Sequence, residues 1–430
     1  MQKMKKSLKL ISVLFVLAVF WVFYFVLQFT YRSPENPNKR FIPTNANFVM
    51  VIDGNLTLKS VLSDFISSRD EKLLGEMNDS RDDLKQTSGI DVLSDFIVFT
   101  VDNRGTQISG VLFNLTRERD FKAYFSDRII ASNSSVGLLL FNESESENTF
   151  KLKQFANSVL KEKNQLFSKK LDKLRDNESA ISIWTRVKSY KKWNYANVEI
   201  KGSKIKVNGT AVLDNKFNCS LKKLSPNNLS IHLSSNSFIT KAFSDSISNF
   251  LGIKRNEIVG ASVNYRSMKI EQETSFKLVP DADFIFEFAN KVDLTMLLST
   301  IQQEEMISEL TENSFIYGEK RFHFDQLSNN SVYIGRTPTL NIVSEKCTSI
   351  VSIHGAPIYL SNIEGSSFML RVINIFPAYR MGKGLSNTIK SIDLDIEASS
   401  SNVVKINGEI KFEKGKYASI ELIRSLLELR

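Results

Sequence analysis

The sequence contains few of the residues on which enzymes and metal sites most often depend. Among 430 residues there are only two cysteines, Cys219 and Cys347, and three histidines. Two cysteines exclude a disulfide framework and a four-cysteine metal site, but they leave open either one bridge or two buried thiols. The sequence has no P-loop, no dinucleotide-binding glycine pattern and no G-x-S-x-G elbow. We therefore predict a protein without a metal or cofactor that is not an enzyme.

Most of the chain also lacks a large excess of positive charge. The net charge is +9, but residues 1–40 hold seven basic residues and one acidic residue, so residues 41–430 carry only +3. Proteins that bind nucleic acid concentrate basic residues on one surface. The sequence therefore predicts no nucleic-acid partner, and it places the basic excess around a membrane anchor.

One long uncharged apolar run is present, at residues 10–27. Extended to Tyr31, it reaches the roughly 20 residues that a helix needs to cross a bilayer. The lysines before it predict a cytoplasmic tail over residues 1–9, a transmembrane helix over residues 10–31 and a translocated body. The run ends in bulky residues without an A-x-A pattern, which favours an uncleaved anchor over a signal peptide. We expect a single-pass inner-membrane protein whose body lies in the periplasm.

An internal repeat organises the body, which follows a polar linker at residues 32–40. Segments 43–67 and 226–248 both contain a proline, polar residues, an alternating strand, a turn and a helix with a Ser-Asp step. The pattern predicts two related halves, residues 41–223 and 224–430. A chance similarity of two short strand–helix patterns is the alternative.

Two similar segments also lie near the ends of these halves. Residues 205–209 (IKVNG) and 404–408 (VKING) each sit between alternating runs. Asn-Gly in such a place is typical of a tight hairpin turn, so we expect a hairpin or a bulged strand at both positions. The order of strands and helices predicts an α+β fold. In this fold one N-terminal transmembrane helix is followed by two related halves of largely antiparallel sheet with packed helices.

Two pairs of side chains are the best candidates for chemistry. His323 and Asp325 are two residues apart, as are Asp393 and Asp395, so each pair shares one face of a strand. A histidine beside a carboxylate suits general-base chemistry, but catalysis also needs a nucleophile or a metal nearby. Because such pairs are common on solvated strands, the alternative is a surface-facing pair at each place. We assign no catalytic, cofactor-binding or metal-ligating residue.

Residues 42–48 (IPTNANF) and 279–284 (VPDADF) each place a proline and polar residues before a hydrophobic strand. In this respect the chain resembles single-span bacterial envelope proteins with a repeated periplasmic α+β body. The strand–Gly–strand pattern of residues 404–417 is similar to that of AsmA-like envelope proteins, which are associated with lipid transport or outer-membrane assembly. These resemblances imply an envelope protein as partner and make lipid a possible ligand.

The sequence therefore predicts a membrane-anchored periplasmic binding or scaffold protein, a non-enzymatic component of envelope assembly or secretion. A lipid-handling envelope protein is the first alternative, because the 31 phenylalanines could line an apolar groove as well as form a core. A hydrolase that uses His323 and Asp325, or Asp393 and Asp395, is the second alternative.

Overall fold

The chain forms two compact units. The first contains the described residues between 37 and 59 and between 88 and 161, and the second contains those between 60 and 68 and between 178 and 427. The computed structural model describes residues 37–68, 88–103, 106–142, 149–161, 178–187, 192–212, 223–224, 229–233, 258–272, 276–303, 307–338, 342–343, 349–356, 363–364, 387–400 and 402–427.

The described part of the first unit is an antiparallel sheet with helices packed against it. Its strands pair in the order β1–β2–β3–β5–β4. After a 3-10 helix at Pro37–Phe41, the elements are β1 (Ala46–Ile52), α1 (Gly54–Ser68, of which residues 60–68 belong to the second unit), β2 (Phe96–Asn103), β3 (Thr106–Asn114), α2 (Glu118–Tyr124), β4 (Ile129–Ser132), β5 (Val136–Asn142) and α3 (Thr149–Lys161).

Spacings of three and four residues explain how α3 packs in the first unit. Leu152, Ala156 and Val159 are buried, whereas Lys151 and Lys153 on its other face are exposed. The helix packs against β4 and β5. The apolar stripe thus covers the sheet and leaves a solvated lysine face, as an amphipathic helix does in a globular protein.

The described part of the second unit contains a long antiparallel sheet. Twelve of its strands pair in the order β6–β7–β8–β20–β19–β17–β10–β11–β12–β15–β14–β13. The elements are β6 (Ile181–Val187), β7 (Lys192–Lys201), β8 (Lys204–Val212), β9 (Lys223–Leu224), β10 (Leu229–Leu233), β11 (Ile258–Gln272), β12 (Phe276–Phe288), α4 (Leu294–Gln303), β13 (Ser314–Tyr317), β14 (Lys320–Ser328), β15 (Ser331–Gly335), β16 (Ile342–Val343), β17 (Ser349–Gly355), β18 (Ile363–Glu364), β19 (Ile389–Ser400), β20 (Val403–Phe412) and α5 (Ala418–Leu427).

At β8, β20 and β19 this sheet has one polar and one apolar face, because polar and apolar residues alternate along these strands. Asn208, Asn407 and Asp395 lie directly opposite one another on β8, β20 and β19 and form a row on the polar face. Val207 and Leu394 belong to the next row, on the apolar face. Each of these three strands therefore presents charged and amide side chains to one side and mainly aliphatic side chains to the other.

Two helices pack on the apolar face. Leu294 and Leu298 of α4 join a buried cluster with Phe286 of β12, and Ala418 of α5 joins another with Ile205 of β8. Full burial of a large apolar side chain contributes roughly 1.5–3 kcal/mol relative to exposure. The apolar face is therefore the core face of the second unit.

The two similar segments near residues 205 and 404 pair with each other. Asn208 on β8 lies opposite Asn407 on β20, so the local two-fold axis of this antiparallel pair relates the two matching sequences. Each strand is the second of a hairpin and begins four residues before the asparagine: Lys201 pairs with Lys204, and Ser400 pairs with Val403. The expected Asn-Gly turns are wrong, because the alternating pattern runs straight through both sites as regular strand.

The predicted fold class is also wrong. The described residues form mostly antiparallel sheet, and β8 pairs with β20 across the predicted boundary between residues 223 and 224. Two separate α+β halves cannot form when their strands hydrogen-bond into one sheet. The relation between segments 43–67 and 226–248 stays a prediction, since residues 234–248 lie outside the described residues.

The predicted tail at residues 1–9 and transmembrane helix at residues 10–31 lie outside the described residues, as does most of the linker at residues 32–40. Within the described stretches, no helix is long and apolar enough to cross a membrane. The longest, α1, has 15 residues, which gives about 22 Å against about 30 Å of hydrocarbon. This finding contradicts the predictions of a transmembrane helix, a single-pass topology and an inner-membrane location with a periplasmic body, and we withdraw them.

Gly209 and Gly408 occupy matching positions in β8 and β20. Replacing each by alanine should change the stability of the chain by different amounts. A Cβ at Gly209 would overlap the backbone carbonyl of Tyr195, whereas a Cβ at Gly408 would meet first the movable end of the Leu394 side chain. We expect Gly209→Ala to lower the free energy of unfolding by about 1–3 kcal/mol and Gly408→Ala by less than about 1 kcal/mol.

Denaturant unfolding followed by tryptophan fluorescence measures both variants, because Trp184 and Trp193 lie on β6 and β7 of this sheet. Equal losses of stability for the two variants would contradict the close approach of β7 and β8 at Gly209.

Candidate functional site

The predicted pair His323 and Asp325 lies on the polar face of β14. His323 is opposite Gly335 and Ser314, and Asp325 is opposite Tyr333. The imidazole is half-buried and the carboxylate is exposed. No nucleophile is directly opposite His323 except the buried Ser314, whose hydroxyl lies 3.1 Å from Arg321 Nη1 and 2.8 Å from Thr311 Oγ1. The arrangement is a solvated pair on one strand.

The other predicted pair, Asp393 and Asp395, meets a histidine that sequence reasoning did not connect with it. His354 on β17 places Nδ1 3.5 Å from Asp393 Oδ1 and Nε2 3.3 Å from Asp395 Oδ1. The two carboxylates share one face of β19, and the pairing of β17 with β19 brings the imidazole between them. No local sequence signal indicates this contact, because it depends on which strand becomes the neighbour of β19.

The two predicted pairs cannot form one catalytic centre. In the strand order, β17, β10, β11, β12 and β15 separate β19 from β14. With about 4.8 Å between neighbouring strands, the pairs are about 29 Å apart along the sheet. General acid–base partners must act within hydrogen-bond reach of one reacting atom.

His354 also lacks an activated nucleophile among its described neighbours. Ser230 on β10 lies directly opposite it. The Ser230 hydroxyl, however, donates to Asn264 Oδ1 at 2.6 Å. Nucleophile activation requires a hydrogen bond between the hydroxyl and the base. The described stretches also contain no group of three or more histidine, cysteine, aspartate or glutamate side chains that could hold a metal ion.

Charged side chains on β8, β20 and β19 form a connected network on the polar face. Lys204 Nζ lies 2.9 Å from Glu409 Oε1, and Lys411 Nζ lies 3.1 Å from Glu409 Oε2 and 3.6 Å from Asp393 Oδ2. Hydrogen bonds from Lys204 and then Lys411 lower the pKa of Glu409, and Glu409 in turn raises the pKa of Lys411. The charges are therefore ordered in pairs across three strands.

We call this region the ladder surface. It carries four lysines and four carboxylates, so it has no net charge, together with two asparagines. Its members are Lys204, Lys206, Asn208, Asp393, Asp395, Glu397, Lys405, Asn407, Glu409 and Lys411.

The centre of the ladder surface is open to solvent. Lys206, Asn208, Lys405 and Asn407 are all exposed. They surround the local two-fold axis between β8 and β20. The two lysines make no ion pair with any described residue, unlike Lys204 and Lys411. The surface therefore offers free amide and ammonium groups at its middle, beside the paired charges of Lys204, Glu409, Lys411 and Asp393.

A second polar cluster, around Asp283 of β12, is buried. Asp283 Oδ2 accepts hydrogen bonds from Arg266 Nη1 at 2.6 Å and from Thr337 Oγ1 at 2.9 Å. Its Oδ1 accepts from the backbone N–H groups of Arg336 and Thr337 and lies 3.0 Å from the Tyr333 hydroxyl. Gly335 is required here, because any Cβ would collide with Asp283 and Tyr333.

The Asp283 cluster holds its carboxylate charged. Burial alone raises the pKa of Asp283, but the hydrogen bonds and charge of Arg266, with the donors of Thr337, bring it below its ordinary value. Burial and the Asp283 charge raise the pKa of Tyr333, which stays protonated as a donor. The carboxylate thus accepts hydrogen bonds from Arg266, Thr337 and the backbone that follows β15, which fixes the chain where it leaves this strand. Arg266 Nη2 is buried without a hydrogen-bond partner.

The two cysteines, Cys219 and Cys347, lie outside the described residues, so their pairing stays open. Comparison of the chain with models of protein families, with characterised proteins and with solved structures finds no match. The resemblances to envelope proteins therefore stay predictions. A proposal on function therefore depends on the geometry of the described residues.

Asp283→Ala should destabilise the second unit strongly. It leaves the partly buried Arg266 without its main counterion, and breaking such a pair typically costs about 3–5 kcal/mol. Asp281 also binds Arg266, with Nε 2.8 Å from its Oδ1, but its side chain is 44% exposed. Asp281→Ala is therefore the matched control, with an expected loss below about 1 kcal/mol. Denaturant unfolding of the full chain compares them.

The contribution of Asp283 should depend on pH with a defined sign. Since its pKa in the folded chain is lowered from 3.8, its stabilisation is complete above about pH 4 and is lost as pH falls through the lowered value. The stability difference between the native chain and Asp283→Ala should therefore shrink in strong acid. A difference that stays constant from neutral pH to below pH 3, or that grows in acid, would contradict this assignment.

Proposed function

We propose that the chain is a non-enzymatic scaffold protein that docks a protein partner on the ladder surface. The observation that carries this proposal is the open, charge-balanced centre of the polar face at β8, β20 and β19. The strand pairing fixes the backbone of this centre, and ion pairs among Lys204, Glu409, Lys411 and Asp393 hold side chains at its border in order before any partner binds. Preorganisation of this kind lowers the entropy lost on association.

The charge pattern favours a protein as partner. The four lysines and four carboxylates of the ladder surface balance in number. The face of β8 carries two lysines, the face of β19 carries three carboxylates, and β20 between them carries both signs. A nucleic acid or an anionic membrane would require an uncompensated basic patch. A protein with a mosaic of charges can match both signs at once, which gives specificity and faster association more than affinity.

The size of the surface indicates a transient complex. Three strands at about 4.8 Å spacing and about 30 Å in length give a projected area of about 430 Å². A standard interface buries about 800 Å² on each partner. On the adjoining strand β7, Trp193 and Tyr195 share the polar face and are half-buried, so they can extend the surface with residues of the type that dominate binding energy. We expect modest affinity that falls as salt is added.

The alternatives receive less support from the same residues. A hydrolase at either predicted pair would need an activated nucleophile beside it. Ser314, opposite His323, lies within hydrogen-bond distance of Arg321 and Thr311, and Ser230, opposite His354, donates to Asn264. A lipid-handling protein would need the apolar face, and α4 and α5 pack on that face near each end of the strand order. Among the described residues, the centre of the ladder surface is exposed.

Charge reversal at the centre of the ladder tests the proposal. The immobilised full-length native chain should recover a partner protein from a lysate of its own host at low salt. The double variant Lys206→Glu with Lys405→Glu should fail to recover this protein. The matched control, Lys151→Glu with Lys153→Glu, makes the same charge change on the exposed face of α3 and should retain it.

Both variants must keep the thermal unfolding midpoint of the native chain, which separates lost binding from lost folding. We expect recovery of the partner to fall at least tenfold for the ladder variant alone. The ladder surface is excluded as the docking site if the ladder variant recovers the same proteins as the native chain. It is also excluded if the α3 variant loses these proteins to the same extent as the ladder variant.

A further inference from the structure

We propose that the ladder surface binds a single α-helix of its partner, which lies along the strands with an acidic stripe over β8 and a basic stripe over β19. The inference rests on the proposed function, because it names the kind of segment that docks on the same surface. Three properties of the described residues support it: the width of the exposed surface, the side on which each charge lies and the spacing of the charges along the strands.

The exposed part of the polar face is narrow, because the same face is buried on both sides of it. Trp184 on β6 and Asn197 on β7 lie on this face and are buried. At β17 and β10, Ser352 and His232 continue the row of Asp395 and are buried as well. A side chain on a sheet face is buried only where other atoms lie above it. The exposed residues at β8, β20 and β19, which we call the open strip, therefore lie between two covered regions.

The width of the open strip suits one helix. β8 and β19 are about 9.6 Å apart, since two steps of about 4.8 Å separate them. An α-helix with its side chains is about 10–12 Å in diameter. A helix that lies over β20 therefore reaches β8 with one flank and β19 with the other.

Other shapes fit the open strip less well. A flat globular surface, including the ladder surface of a second copy of the chain, would meet the covered regions before it reached the strip. An extended segment directs the side chains of one face along a single line, so it cannot contact β8 and β19 at the same time. A helix is the element that contacts both.

The two flanks of the open strip differ in sign. Lys204 and Lys206 lie on the polar face of β8, whereas the carboxylates lie on the polar face of β19, at Asp393, Asp395 and Glu397. Within the described stretches, Lys206 and Glu397 make no ion pair, so each flank keeps a charge for a partner. Complementary charges on a docking segment are therefore carboxylates towards β8 and cations towards β19.

The spacing of these charges matches the repeat of a helix. Charges two residues apart on one strand are about 6.7 Å apart. Residues four apart on a helix lie on one side of it and rise by about 6.0 Å. Neighbouring charges of a flank therefore face residues i and i+4 of a helix to within about 1 Å, a difference that the flexible stem of a lysine absorbs.

Two synthetic alanine-rich peptides of about 24 residues, long enough to form a helix alone, test this inference. Both carry the same numbers of glutamate and lysine at the same set of positions. In the striped peptide all glutamates lie along one side of the helix and all lysines along the other. In the mixed peptide the two residues alternate along each side, which gives it the favourable Glu–Lys pairs at i and i+4. Circular dichroism verifies that both are helical.

Fluorescence anisotropy of each labelled peptide, titrated with the full-length chain at low salt, measures the two dissociation constants. We expect the striped peptide to bind at least tenfold more tightly, because only separate stripes pair with both flanks at once. Tenfold corresponds to about 1.4 kcal/mol, which a few exposed ion pairs supply. Added salt should reduce this preference.

Charge reversal on each flank shows whether one segment contacts both. Lys206→Glu and Glu397→Lys should each weaken binding of the striped peptide about three- to tenfold. Lys151→Glu on the exposed face of α3 is the control and should leave it unchanged. All three variants must keep the thermal unfolding midpoint of the native chain, and Lys206→Gln or Glu397→Gln replaces a reversal that does not.

Equal binding of the two peptides, or no binding of either at about 1 mM, would overturn the inference. So would a loss of binding in only one of the two flank variants, because a helix on the open strip contacts both. If the peptides fail in one of these ways while the double variant Lys206→Glu with Lys405→Glu still loses a partner from the lysate, the ladder surface remains a docking site and its occupant is not a helix of this kind.

Discussion

The pairing of β8 with β20 is the constraint on which the second unit depends. It joins residues about two hundred positions apart in sequence, Asn208 and Asn407, and makes neighbours of two hairpins with similar sequences. Without it the hairpin β7–β8 would end in an open edge, and an unpaired edge of alternating residues is prone to pair with other chains. The long strand order from β6 to β13 exists because this seam and the junction of β17 with β19 continue the hydrogen-bond ladder.

The same pairing decides what each face can do. A shift by one residue in the register of β8 against β20 would turn Val207 and Ile205 outward and Lys206 inward. In the observed register the aliphatic side chains meet α5, and the lysines, asparagines and carboxylates collect on the opposite face. The open centre of the ladder surface is therefore a consequence of this register, and the proposed docking function depends on it.

Alternation along the strands was sufficient to predict much of the local structure but not the partners of the strands. Period-two patterns placed Asp393 with Asp395 on one face of a strand, and the described strand β19 has that arrangement. They could not show that His354 would lie between the two carboxylates, because the sequence near 354 contains no information on which strand is its neighbour. Asn-Gly was mistaken for a turn at 208 and 407, since local turn preference was outweighed by continuous pairing on both sides. The division into two α+β halves failed for the same reason: strand pairing crosses the predicted boundary.

A disulfide at the seam tests the central claim most directly. Opposite residues of an antiparallel pair have Cα atoms about 4.5–5.5 Å apart, within the range that a disulfide spans. With Cys219 and Cys347 replaced by serine, the chain carrying Asn208→Cys and Asn407→Cys should close an intramolecular disulfide under mild oxidation. Quantitative formation of that bond in the folded chain is the predicted result. Two thiols that stay reduced and react freely with an alkylating reagent would contradict the pairing of β8 with β20.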